Sequence, residues 1–122
     1  MKAGLKVLIV DDEPINLDIL NEMLGDKCET SLASSGEEAL KMASRTLPDL
    51  VLLDVMMPGI NGYKTCERLR ANEQFEGMKI IMISANADQS AIKQGLESGA
   101  DEYVPKPFDE DTLLEIINRY VD

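Results

Sequence analysis

Five polar residues stand where long apolar runs stop. Asp54 closes the run from Leu50 to Leu53, and a turn follows at Pro58, Gly59, Asn61 and Gly62. Asp11 and Asp12 close an earlier run, Leu5 to Val10, Ser84 follows Ile80 to Ile83, and Lys106 follows Tyr103, Val104 and Pro105. A carboxylate at such a place can be a nucleophile, a metal ligand or a helix cap. A helix dipole accounts for one acid at a helix start, but not for a cluster. Carboxylates brought into one crevice repel each other unless a cation joins them. Hard oxygen ligands with no His in the chain suit Mg²⁺, which binds through one or two carboxylates, waters and phosphate oxygens. With an ammonium from Lys106 and a hydroxyl from Ser84, the same set describes an anion site once Asp54 carries a phosphoryl group as an acyl phosphate.

These residues can meet only if the elements before them lie side by side. Apolar runs near residues 7–10, 50–53 and 80–83 suit strands buried on both faces. Between them come helical spacings. Pro14 opens one, with Ile15, Ile19, Leu20, Met23 and Leu24 recurring up to Gly25. Ala39, Leu40 and Ala43 mark a second, Tyr63, Cys66 and Leu69 a third, and Ile92 and Leu96 a fourth that closes at Gly99. Asp109 is expected to cap the last, with Leu113, Ile116, Ile117, Tyr120 and Val121 inward. The alternation predicts an α/β fold: a doubly wound, five-stranded parallel sheet of flavodoxin-like (βα)5 type. Strands near 28–32 and 102–104 are short and mixed and belong at the edges, which gives the order 2-1-3-4-5. In that order the topological switch lies between strands 1 and 3, and a crevice opens at their C-terminal ends beside Asp11, Asp12 and Asp54.

Composition narrows the function classes. The 122 residues suit one domain, expected over residues 1–122. Twelve Lys and Arg against 23 Asp and Glu give a formal charge of −11, a field that disfavours direct nucleic-acid binding and suits cations and basic partners. The absence of His removes imidazole as base, ligand or phosphoryl carrier. Cys28 and Cys66 form no CxxC and read as buried thiols of a cytoplasmic protein. No stretch reaches membrane-spanning length, so no membrane insertion is expected.

At IVDDEP (9–14), LLDVMMPGING (52–62), ISA (83–85) and GADEYVPKP (99–107), in this order and register, the chain resembles the receiver domain of bacterial response regulators. The resemblance covers Lys6 to Val121. It implies Asp54 as phosphoacceptor, and Asp11 and Asp12 as the acidic pair that places Mg²⁺, with the main-chain carbonyl of Met56. It further implies Ser84 as the hydroxyl that bonds a phosphoryl oxygen, Ala85 as the small residue that keeps the phosphate accessible, Lys106 as the site ammonium and Tyr103 as the aromatic switch. Met56 and Met57 also fit simple packing, and Tyr103 an ordinary edge-strand filler. A cis Lys106–Pro107 bond is expected, aiming the lysine into the crevice.

The function expected is a phosphorylation-activated signalling switch. A histidine kinase or histidine phosphotransfer protein would supply the phosphoryl group. A downstream protein effector would read the surface of the fourth helix, fifth strand and fifth helix. Tyr103 is expected to enter space that a displaced Ser84 leaves. Such a chain takes part in its own phosphorylation and dephosphorylation without being a turnover enzyme. A Mg²⁺-dependent aspartyl-phosphate phosphatase would instead need an acid two residues after the nucleophile, where Met56 stands. A receiver cut from a longer regulator or hybrid kinase with an output domain would read the same way.

Overall fold

A computed structural model describes residues 4–121; the expected domain bounds, Met1 and Asp122, lie outside them. The chain alternates β1 (Lys6–Val10), α1 (Pro14–Leu24), β2 (Glu29–Ala33), α2 (Gly36–Thr46), β3 (Leu50–Asp54), α3 (Gly62–Ala71), β4 (Lys79–Ser84), α4 (Gln89–Glu97), β5 (Glu102–Pro105) and α5 (Glu110–Val121), with a 3-10 turn at Glu73–Phe75. The strands are parallel, in the order β2-β1-β3-β4-β5 that the unequal apolar runs predict.

Successive strand residues face opposite sides of a sheet, and this divides the core in two. Leu8, Val10, Val51, Leu53, Ile80, Met82 and Tyr103 point to one side, where Ala39 and Ala43 of α2, Cys66 and Leu69 of α3 and Ala91 of α4 cover them. Val7, Ile9, Leu50, Leu52, Ile81, Ile83 and Val104 point to the other, under Leu17, Leu20 and Leu24 of α1 and Leu113, Ile116 and Ile117 of α5. Every residue of β3 is buried, as a central parallel strand requires. Each fully buried Leu or Ile contributes roughly 1.5–3 kcal/mol.

Side-chain caps set where several helices start. Ser35 Oγ accepts from Glu38 N at 3.0 Å while Glu38 Oε1 accepts from Ser34 N at 2.7 Å, which pins the start of α2. Asn61 Oδ1 accepts from Lys64 N for α3, Asp88 Oδ1 from Ala91 N for α4, and Asp109 Oδ1 from Thr112 N for α5, the last as expected. α1 begins instead with Pro14 in its first turn.

Two helical spacings gain a buried face from the structure, and one expectation, that both thiols are buried, needs correction. The stripe that α1 buries is Leu17, Leu20 and Leu24; Ile15 and Ile19 are 66% and 48% exposed. On α4 the inward positions belong to Ala91 and Gly95, and Leu96 is 47% exposed. Of the cysteines only Cys66 is buried, because Cys28 lies just ahead of edge strand β2 and is half-buried.

One polar clasp has no counterpart in the sequence reading. Arg70, at the end of α3, donates from Nε to Gly99 O at 2.7 Å, from Nη1 to Met78 O at 2.5 Å and from Nη2 to Asp101 Oδ2 at 2.5 Å. Asp101 Oδ2 also accepts from Ile80 N at 2.8 Å. The clasp ties the end of α3 to the starts of β4 and β5 and to the turn that follows α4.

Candidate functional site

The register brings the predicted residues to one edge. Val10 pairs with Leu53, so Asp11 and Asp54 emerge together at the next position. Asp54 pairs with Ile83 and Ser84 with Pro105, which places Ser84 and Lys106 on the adjoining strand ends. Gly62 packs directly against the backbone at the end of β3. A Cβ there would lie 2.5 Å from Asp54 O and 2.7 Å from Val55 Cα, so only glycine lets α3 start this close to the end of β3.

Asp11 and Asp54 are buried, at 1% and 8% exposure, and Asp12 is half-buried. One carboxylate oxygen from each of Asp11, Asp12 and Asp54 lies within 4.8 Å of the others. Lys106 Nζ stands 3.6 Å from both Asp11 Oδ2 and Asp54 Oδ1. Burial, and then the charge of Asp11, push the Asp54 carboxyl up to about 6; Lys106 pulls it down but does not cancel them. Asp11 Oδ1 accepts from Glu13 N at 2.9 Å, which orients that carboxylate. The donor set is entirely oxygen, strongly acidic and incompletely neutralised by one ammonium, so it fits a hard divalent cation. The Met56 side chain is 69% exposed, whereas Met57 packs into the core. The Lys106–Pro107 bond is cis, as expected.

Ser84 is fully buried, and its Oγ accepts from Asn86 N at 3.1 Å. Tyr103 is 9% exposed and donates from its hydroxyl to Asn86 O at 2.7 Å. In this structure the ring already lies inside while Ser84 bonds the Asn86 amide. Sequence reasoning missed a second phenol here. Tyr63, read only as part of the α3 stripe, donates to Ala91 O at 3.3 Å. Burial, and then Tyr103 beside it, push its hydroxyl up to about 12. The only available signal was a tyrosine one residue past Gly62.

The model of the response regulator receiver domain matches residues 7–118. The chain belongs to this family. The receiver is 43% identical over 104 residues to the DNA-binding response regulator MtrA of Mycolicibacterium smegmatis, covering 84% of this chain and 44% of that protein. The chain thus spans less than half the length of that relative. It superposes on the Vibrio cholerae chemotaxis protein CheY4 with a TM-score of 0.92 at 29% identity, over 97% of this chain and 99% of that one. A receiver domain of the Pseudomonas aeruginosa sensor histidine kinase PA1611 has a magnesium ion coordinated in its active-site cleft. It matches with a TM-score of 0.88 at 31% identity, over 96% and 97% of the two chains. Among the described residues of this receiver, no helix is long and apolar enough to cross a membrane.

Proposed function

We propose that this receiver accepts a phosphoryl group on Asp54 from a phosphohistidine of a partner kinase or phosphotransfer protein and passes the signal to a downstream protein. The observation that carries this reading is the buried Asp54 carboxylate, bracketed at 3.6 Å by Lys106 and flanked by two further acids. Asp54 attacks the phosphorus in line, and the donor's nitrogen leaves. Lys106 holds a fixed positive charge against the transferring oxygens. Mg²⁺, held by Asp11, Asp12, Asp54 and the Met56 carbonyl, supplies the rest of that neutralisation when bound. Exposed Ile15 and Ile19 on α1 suit a protein phosphodonor. So does the adjoining cleft of about 250 Å³, which Ile19 lines with Asp11, Lys106 and Phe108. The domain is a signalling module that takes part in its own phosphorylation and dephosphorylation. We place it in the cytoplasm, as a single receiver domain assigned to residues 1–122, with no nucleic-acid contact of its own.

Incubation with acetyl phosphate and Mg²⁺ is expected to add one phosphoryl group per chain, removable by hydroxylamine as an acyl phosphate. No incorporation would overturn the reading. The reader of the signal is expected on α4, β5 and α5. A phosphoryl group adds about −1.5 to −2 charges and three acceptor oxygens. The Ser84 hydroxyl can turn from the Asn86 amide toward them. Beryllofluoride should then shift the amide resonances of residues 86–104 more than those of 36–44, and Ser84→Ala should blunt that shift while leaving Asp54 able to react. Equal shifts in the two segments would sink the coupling.

Cation binding has its own expected result. Relief of like charges makes Mg²⁺ favour the folded chain, so the melting temperature should rise with Mg²⁺ concentration. Asp12→Ala should flatten that rise; a wild-type melting temperature insensitive to Mg²⁺ would count against the metal site.

A further inference from the structure

Gly95 lies in the last turn of α4, inside the helix, where glycine weakens it relative to alanine. Its backbone is ordinary helix; the positive-φ glycines among the described residues are Gly4, Gly59 and Gly99. Conformational freedom therefore does not explain it, but space does. A Cβ at Gly95 would lie 2.8 Å from Tyr103 Cδ2, 3.1 Å from Tyr103 Cε2 and 2.9 Å from Met82 Sδ. The methionine is flexible and can move aside. The ring cannot slide along the helix, because its hydroxyl is tied to Asn86 O at 2.7 Å.

We propose that Gly95 is a positioning residue whose missing side chain forms the seat of the Tyr103 ring. Seated there, the ring reaches from the last turn of α4 to the loop that leads into the helix. That loop is bonded in turn to Ser84 through the Asn86 amide. The bond from Tyr63 to Ala91 O ties the first turn of α4 to α3. Gly95 thus sets the inward direction of Tyr103, and with it the link between α4 and Ser84. The regulatory meaning of that link rests on the proposed phosphoryl switch; the seat itself does not.

The test is Gly95→Ala, alone and combined with Tyr103→Ala. The chain has no Trp and three Tyr, so ring-labelled tyrosine gives a short NMR spectrum, with Tyr103 assigned from its own substitution. In Gly95→Ala the Tyr103 ring should become accessible to a soluble paramagnetic probe while Tyr120 stays as it is. Alanine should lower the melting temperature in the wild-type background and raise it in the Tyr103→Ala background, where only its better helix propensity remains. A purely structural glycine, packed close to β4, would give the same sign in both. If Gly95→Ala alone does not fold, a folded double variant supports the seat and an unfolded one overturns it. A ring as protected in Gly95→Ala as in wild type would also overturn it. Beryllofluoride separates the two readings: if wild type does not respond but the ring is expelled by Gly95→Ala, the seat stands and the switch fails.

Discussion

Asp54→Asn is expected to abolish phosphate incorporation and, at the same time, to stabilise the fold. The first effect follows from losing the nucleophile. The second follows from the company that Asp54 keeps. Its carboxyl is held at about 6 in the folded chain against an ordinary 3.8, mainly by burial and by Asp11. The folded state therefore binds this proton more tightly than the unfolded state. Below 3.8 both states are protonated and the group costs nothing. As the pH rises through 6 the folded chain must hold an unfavourable charge, and above that the cost is complete, up to about 3 kcal/mol. Asparagine carries no such charge, although it gives up the attraction of Lys106, which keeps Asp11 as a partner. The variant should therefore melt higher than wild type at pH 8, by on the order of 10 °C for a domain of this size. The gap should close as the pH falls toward 4. Full phosphate stoichiometry on the variant would remove Asp54 as the acceptor. A melting gap constant from pH 4 to pH 8 would remove the charge argument.

Arg70→Ala should have a comparable effect of opposite sign. The guanidinium satisfies two carbonyls, Gly99 O and Met78 O, and the Asp101 carboxylate, in surroundings where its side chain is 25% exposed and that of Asp101 26%. Truncation leaves a partly buried acid and two carbonyls short of partners, a loss of about 3 kcal/mol. Lysine should recover little, because one ammonium cannot reach all three acceptors in the planar fork that Arg provides. Thermal unfolding of the two variants decides this, and a loss under about 1 kcal/mol for alanine would show the clasp to be ornamental.

The strand order was legible because the runs at 7–10, 50–53 and 80–83 are solidly apolar while Glu29–Ala33 and Glu102–Pro105 are short and mixed. The meeting of Asp11, Asp12, Asp54 and Lys106 was legible for the same reason, since each follows a strand whose neighbour the order sets. Periodicity failed where it could not choose a face. Ile15 and Ile19 share helical spacing with Met23, yet the sheet takes the stripe through Leu17, Leu20 and Leu24. The partners of Arg70 come from residues 8, 29 and 31 positions away, and no local pattern encodes them. Gly95 is silent in the sequence because its reason lies in a ring on the neighbouring strand.

The two borders of the sheet carry one more consequence. A border strand presents unpaired N–H groups that a second chain could pair with. Along a strand, successive N–H groups turn alternately to the two sides. Lys106 N donates inward to Ser84 O at 2.8 Å, so the nitrogen of Pro105 looks outward, where it has no hydrogen to offer. At the opposite border, Glu29 puts an exposed charge at the start of β2. An open five-stranded sheet is thereby discouraged from growing by recruiting copies of itself, and it can stay dispersed at high concentration without closing into a barrel.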